Sequence, residues 1–257
     1  MIYTDVLKDA IFRYALRHGD DRLILGHRVS EWSGHGPILE EDLALSNTSL
    51  DMIGQAVLWL KYAGEVEGAG RTEDDLAYLR SEREYRNLLI TELANEDFAF
   101  TIARQFFFDV YDYLFYNELK SSKDETLSAI AAKSLKESAY HLRHSSEWML
   151  RLGDGTDISH EKIASAVEDL WMYTGEMFVP DELDELLVNE GIGVDLELIK
   201  PKWYENISKI LTEATLTVPD ANAFMQSGGR KGLHTENLGF ILAEMQYLRR
   251  THPDAKW

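Results

Sequence analysis

The sequence predicts an all-α chain, a helical bundle with additional helices toward its C-terminal end. Three observations lead there. Pro37 and Pro180 bracket a long stretch with no proline, where an all-β chain would place turn prolines. Apolar residues recur at three- and four-residue spacing along most of the chain. Strand-like and helix-like segments do not alternate, so neither a doubly wound sheet nor a β/α barrel is expected.

Each helix has its own signals. Thr4 is the N-cap of the first, with Leu7, Ile11, Tyr14 and Ala15 on one face and Gly19 where a C′ glycine belongs. Asp20 or Asp21 caps a second, through Leu23, Ile24, His27 and Trp32, before Gly34-His35-Gly36-Pro37 breaks the chain. A long helix follows over 39–63, with Leu43, Leu50, Ile53, Val57 and Leu58 as its apolar side and Gly64 as its stop. The glycine-rich stretch 65–72 is a loop, and 73–93 holds two short helical pieces. Asn95 caps the next long helix, which reaches about Leu119 and is crowded with phenylalanines, among them Phe98, Phe100, Phe106 and Phe108. Asp124 opens another, with Leu127, Ala131, Leu135, Leu142 and Met149 at helical spacing and Gly153 at its end. Shorter helices are expected over 159–173, 181–189, 202–211 and 236–251. The helices over 39–63, 96–119 and 124–152, joined by the one at 20–33 or at 159–173, make a four-helix core, an architecture that often holds metals between its helices. No repeat, low-complexity segment or linker interrupts the chain, so 1–257 reads as one domain.

Composition excludes several classes. The 257 residues carry 26 Lys and Arg against 45 Asp and Glu, a net charge of −19, and no cysteine. Disulfide scaffolds, cysteine-ligated metal centres and thiol catalysts are therefore excluded. The acidic excess argues against nucleic acid as a partner. An apolar fraction of 45% is too high for a disordered acidic segment. The N-terminal residues show no basic region followed by an apolar stretch, so no secretory signal is expected. Ala56-Val57-Leu58-Trp59-Leu60 is among the longest apolar runs and stops at Lys61, far short of the ~18 residues of a membrane span. A soluble cytoplasmic protein is expected.

A helical core of this size raises a di-iron carboxylate site as the first enzymatic reading. Such a site takes a glutamate from each of two helices and Glu-x-x-His from each of the other two, because positions i and i+3 share a helical face. Three residues before the eight histidines stand Ala15, Ile24, Trp32, Ser138, His141, Asp157, Lys231 and Arg249. None is glutamate. Asp157 and His160 alone keep the spacing with an acid, and they fall at a loop-to-helix junction where the plainer reading is a cap.

The remaining metal candidates are polar residues on long helices. Glu137 and His141 lie at i and i+4, with His144 a turn further on. Asn47, Asp51 and Gln55 form one stripe; Asp97, Thr101, Gln105 and Asp109 form another. Read functionally, Asp51, Asp109, Glu137 and His141 are atypical ligands of an autonomous di-metal oxygenase. Read plainly, they are remnants of such a site that now satisfy one another, with no metal in this chain. Gly228-Gly229-Arg230-Lys231-Gly232 is the one basic glycine-rich loop. Arg230 and Lys231 there suit the phosphates of a coenzyme A group, as in a CoA-binding accessory module; the plainer reading is a solvated turn. The P-loop order, the serine-hydrolase elbow and the His-Glu-x-x-His motif are all absent.

Several stretches together resemble a known family. They are Leu25-Gly-His-Arg-Val-Ser-Glu-Trp-Ser-Gly-His-Gly-Pro-Ile-Leu-Glu-Glu-Asp-Leu-Ala-Leu, Leu50-Asp-Met-Ile-Gly-Gln-Ala, Arg71-Thr-Glu-Asp-Asp-Leu-Ala-Tyr-Leu-Arg and Phe98-Ala-Phe-Thr-Ile-Ala-Arg-Gln-Phe. Lys136-Glu-Ser-Ala-Tyr-His-Leu-Arg-His, Arg151-Leu-Gly-Asp-Gly-Thr, Gly228-Gly-Arg-Lys-Gly-Leu-His-Thr-Glu and Glu244-Met-Gln-Tyr-Leu complete the set. They resemble the C subunits of bacterial phenylacetyl-CoA oxygenases (ring epoxidases), the PaaC family, over nearly the whole chain. The resemblance implies a ferritin-like fold and a noncatalytic role in aerobic phenylacetate breakdown. It implies a homologous A subunit that carries the di-iron site and most of the contact with the CoA thioester, together with B and reductase subunits. Trp59, Trp148, Trp171 and the phenylalanine cluster exceed what the sequence places in one core, so part of them is expected at an apolar subunit interface of about 2,000 Å² or more.

Overall fold

A computed structural model describes residues 3–253 and 255, and among these every regular element is a helix. The chain divides into two compact units. One holds the residues up to Ala94 together with those from Gly228; the other is Asn95–Ser227.

The first unit is built on two long helices, α1 (Asp5–Ser30) and α2 (Leu39–Glu67). Thr4 caps α1 as expected, its hydroxyl accepting from the Leu7 N–H at 3.3 Å. The helix does not end at Gly19. It runs on through Asp20 and Asp21, and the glycine serves packing instead. A Cβ at Gly19 would stand 2.7 Å from Leu60 Cδ2, and one at Gly26 3.1 Å from Met52 Cβ. These close approaches set α2 antiparallel to α1. A glycine inside a helix costs roughly 0.5–1 kcal/mol, which tight helix packing offsets.

α2 also outruns its expected stop. Its C-cap is Gly68, in the left-handed region at φ +70°, and Gly64 lies buried within the helix. The apolar side expected for α2 is not the buried one. Leu45, Met52, Ala56, Trp59 and Leu60 face inward, while Leu43, Leu50 and Val57 are exposed.

The rest of this unit is short helices: α3 (Glu73–Tyr78), α4 (Leu89–Glu92), α10 (Glu236–Met245) and α11 (Tyr247–Thr251), with 3-10 turns at Glu82–Glu84 and Gly229–Lys231. The single helix expected over 236–251 breaks at Gln246. That side chain is buried and donates to the Arg80 carbonyl at 3.0 Å.

In the second unit α5 (Phe98–Leu119) is buried nearly all round, the mark of a central helix. Its N-cap is Asp97, accepting from the Phe100 N–H at 3.0 Å, rather than Asn95. α6 (Glu125–Gly153) runs antiparallel to α5, and α7 (Asp157–Trp171) and α9 (Leu196–Glu213) pack on α5 as well. α7 is capped by Thr156, with Ser159 answering as the third residue of the capping box. α8 (Glu182–Asn189) matches its expectation closely. α9 starts six residues earlier than expected because Asp195 caps it and Pro201 is accommodated inside. A proline needs no N–H donor in the first turn but loses one bond at its position here.

The expected aromatic surplus is absorbed inside. Trp59, Phe106, Phe107 and Phe108 are fully buried, and Trp171 and Trp203 stack near Phe107. Trp148 meets Phe98 edge-on. The exposed apolar residues include aliphatic ones on α2 and a mixed set near the C-terminal end, such as Phe240 and Tyr247, with others such as Ile158, Val179 and Leu198 scattered over further elements.

Candidate functional site

Two buried polar clusters stand out, one in each unit. In the second unit the polar stripe of α5 meets that of α6. Gln105 donates from Nε2 to Asp109 Oδ1 at 2.9 Å, and Ser145 donates to Asp109 Oδ2 at 2.7 Å. Ser138 donates to Asp112 in a very short bond. His141, buried on α6, acts electrostatically on Asp109. Burial pushes the Asp109 carboxyl up to about 7, against the pull of His141 and the two donors; the neighbouring Asp112 charge adds to the rise. Glu137 is half-buried one turn before His141 on α6. Asp51 is half-buried on α2 and belongs to the other unit. Of the four predicted ligand positions, the structure thus brings together Asp109 and His141.

This donor set does not fit a di-iron pair. The carboxylates of Asp109 and Asp112 already accept from hydroxyl and amide donors, His141 is the one imidazole in the cluster, and no glutamate pair bridges it. Among the described residues no group of three or more His, Asp or Glu is placed to hold a metal ion. Asp157 is exposed in the first turn of α7, and His160 turns Nδ1 onto the Gly153 carbonyl at 2.7 Å. The spacing that kept this pair in view is therefore the geometry of a helix start.

In the first unit the cluster gathers around α1. Arg80 forms a two-pronged pair with Asp20, whose carboxylate also accepts from the Arg86 N–H at 2.9 Å. Arg230 pairs with Asp21 through two parallel bonds of 3.0 and 2.8 Å. Its Nη1 reaches the carbonyls of Arg17 and Arg86 as well. Asp21 further accepts from the Leu88 N–H at 2.8 Å. Burial raises the Asp21 carboxyl, and Arg230 beside it opposes the rise. The predicted phosphate ligand Arg230 is thus turned inward onto protein, whereas Lys231 is exposed.

Sequence reasoning missed two charged members of this cluster, Arg80 and Glu92. Glu92 is fully buried, accepting from Asn87 Nδ2 at 2.8 Å and from the Thr235 N–H at 2.6 Å. His234 lies between Glu92 Oε2, 2.8 Å from Nδ1, and the Tyr85 carbonyl, 3.1 Å from Nε2. Both neighbours are acceptors, so the protonated ring satisfies both. Burial works against that charge, but Glu92 and the Tyr85 carbonyl outweigh it and hold the His234 pKa above its ordinary value. The available signal was an acid inside the apolar run Leu88-Leu89-Ile90-Thr91-Glu92-Leu93, which demands a buried partner. Taken together, these pairs clasp the 80–92 and 228–235 segments onto α1. The arrangement fixes these chain segments on α1.

Comparison with known proteins agrees over almost all of the chain. The family model described as "Phenylacetic acid catabolic protein" matches residues 3–257. The chain is 49% identical over 244 residues to the C subunit of the 1,2-phenylacetyl-CoA epoxidase of Escherichia coli (strain K12), an alignment that covers 95% of this chain and 98% of that protein. That relative is thus matched end to end rather than through a shared segment. The chain belongs to the phenylacetic acid catabolic protein family.

Proposed function

We propose that this chain is a noncatalytic, structural subunit of a multicomponent di-iron monooxygenase that epoxidises the ring of phenylacetyl-CoA in aerobic phenylacetate catabolism. Its role is to hold and stabilise a homologous catalytic A subunit, which binds the iron pair and most of the CoA thioester; B and reductase subunits complete the system. One observation carries this reading: the buried carboxylates Asp109 and Asp112 are answered by Gln105, Ser145 and Ser138, protein donors in the places where a metal site would need open ligands. The likeness to the C subunit of the Escherichia coli epoxidase supports the choice of system. Any direct contact of this chain with a CoA phosphate falls to the exposed Lys231 rather than to Arg230. No described helix is long and apolar enough to cross a membrane, and we place the complex in the cytoplasm.

Co-expression tests the reading. A tagged copy of this chain is expected to retain the catalytic subunit through purification. Iron should follow that subunit, and ring epoxidation should require both. Near-stoichiometric iron on this chain alone, lost in Glu137→Ala or Asp109→Ala, would instead make it an autonomous di-metal enzyme.

A further inference from the structure

A cavity of about 760 Å³ opens in the second unit between α7 and the chain over 216–224. Val167, Trp171 and Leu216, all buried, form its floor. Phe224 also lines it and is 71% exposed. The volume falls in the range of small-molecule sites, roughly 300–1,000 Å³, whose walls are mostly apolar with a few placed polar groups.

The wall over 215–227 contains no helix, yet it is fixed along its length. It starts at Thr215, a β-branched residue in the left-handed region at φ +61°, a strained conformation that persists only where the surroundings impose it. The Thr215 hydroxyl donates to the Gly153 carbonyl at 3.2 Å. Further on, Trp171 Nε1 donates to the Asp220 carbonyl at 2.9 Å, and the Gln226 N–H donates to the Met172 carbonyl at 2.7 Å. These last two ties join the wall to the C-terminal end of α7, so an extended peptide cannot run through between them. The cavity is therefore formed before any ligand arrives, and it suits a compact molecule.

Its polar groups select the charge of that molecule. Glu161, Glu168 and Asp220 line it, and no lysine or arginine does so among the described residues. Lys162, next to Glu161 in the chain, is held by Asp97 at 3.0 Å. His160 sets Nδ1 against the Gly153 carbonyl, which can only accept, so Nε2 of the neutral ring is left as an acceptor. An anion such as a carboxylate or a CoA thioester would meet acids here and find no cation. An ammonium group would meet carboxylates, an imidazole acceptor and the aromatic rings of Trp171 and Phe224.

We propose that this cavity is a binding site for a small organic cation, an ammonium group carried on an aryl or alkyl body. The proposal goes beyond the structural role above and does not depend on it.

Calorimetric titration of the full chain with phenethylamine, 2-phenylethanol and phenylacetate provides the test, since the three share a shape and carry positive, zero and negative charge at neutral pH. Phenethylamine is expected to bind with a Kd of ~0.1–1 mM, within reach of a ligand of so few atoms. The alcohol should bind more weakly, and phenylacetate at least ~10-fold more weakly than the amine. Glu161→Gln combined with Glu168→Gln should weaken the amine ~3-fold or more, as loss of two exposed ion pairs does, and leave the alcohol unchanged. Ala164→Phe should fill the cavity and abolish binding of both. Phe224→Ala, at an exposed position, should weaken both and serves if Ala164→Phe fails to fold. No binding of the amine at ~10 mM, a weak-affinity limit, overturns the proposal. So does equal affinity for phenylacetate, or indifference to the glutamate, Ala164 and Phe224 variants. Binding that vanishes once a co-expressed catalytic subunit is bound also overturns it and assigns the cavity to that subunit.

Discussion

Arg230 closes on Asp21 with two parallel hydrogen bonds, 2.8 and 3.0 Å long, across 209 positions of sequence. The aspartate is fully buried on α1, and the arginine comes from the 3-10 turn before α10. The pair therefore holds the C-terminal segment of the first unit onto the helix that begins it. Removing one partner of a buried pair leaves the other charge without compensation, which costs about 3–5 kcal/mol. Arg230→Ala should lower the stability of the full chain by that order in urea titration. Arg230→Lys should recover only part of the loss, because an ammonium cannot make the two-pronged contact. A loss as small as that of Lys231→Ala would show that the contact contributes little.

His234 and Glu92 make stability depend on pH. The folded His234 pKa lies above its ordinary 6.5, so the pair contributes fully below about pH 6.5 and loses its contribution as pH rises through the raised folded value. The stability gap between the wild type and His234→Gln should therefore be widest in mildly acidic solution and shrink on the alkaline side. Chemical denaturation of both proteins at a series of pH values measures that gap. A gap that widens with rising pH would contradict the protonated ring placed between Glu92 and the Tyr85 carbonyl.

Asp109 should add a trend of the same sign from the second unit. Its carboxyl titrates at about 7 in the folded chain against an ordinary 3.8. Between those values the unfolded chain gives up the proton while the folded chain keeps it, so stability falls as pH rises from about 4 to about 7 and then levels off. Asp109→Asn removes the ionisation and keeps an oxygen for Ser145. Its stability relative to wild type should rise across that window by a few kcal/mol, on the order that a shift of this size represents. A flat difference between the two proteins would mean that Asp109 is ionised and accommodated throughout.

The local half of this fold was legible in the sequence, and the reason is physical. Thr4 and Asp124 cap helices because a side-chain oxygen can answer an orphan N–H two or three residues on, a contact contained within one turn. Asp97 satisfies the same rule, yet Asn95 two residues earlier offers the same chemistry, and only the fold decides between them. That Asp109 and His141 are polar positions on core helices was likewise readable, but the full burial of His141 was not. The pairing of Arg230 with Asp21 was not, because nothing local tells a cation bound to a buried acid from one free in a loop. α2 failed for a third reason. It is apolar on two sides, and periodicity finds rows without saying which row meets the core. The larger aliphatic side chains, Leu43 and Leu50, drew the choice to the open row, whereas small residues such as Ser49 and Ala56 lie on the packed one.

Gly19 shows the same ambiguity in a form that mutation can resolve. As the C′ residue of a short helix it would need the left-handed backbone, and alanine there would be strained. Inside a continuous α1 it needs only room, since its own Cβ would stand 2.7 Å from Leu60 Cδ2 and 3.3 Å from Trp59 Cβ. Alanine improves helix propensity by up to about 1 kcal/mol. Crowding a tightly packed core typically costs 1–3 kcal/mol, so roughly that range sets the opposing term. The net expectation for Gly19→Ala is destabilisation, relieved when Leu60→Ala opens the facing side and leaves the double variant closer to wild type than the sum of its parts. A thermal or urea double-mutant cycle measures this coupling directly. Gly54→Ala, on the same helix as Leu60 but facing open space, should by contrast gain stability from propensity alone. If Gly19→Ala stabilised the chain as Gly54→Ala does, the close approach of α1 and α2 at this point would be wrong.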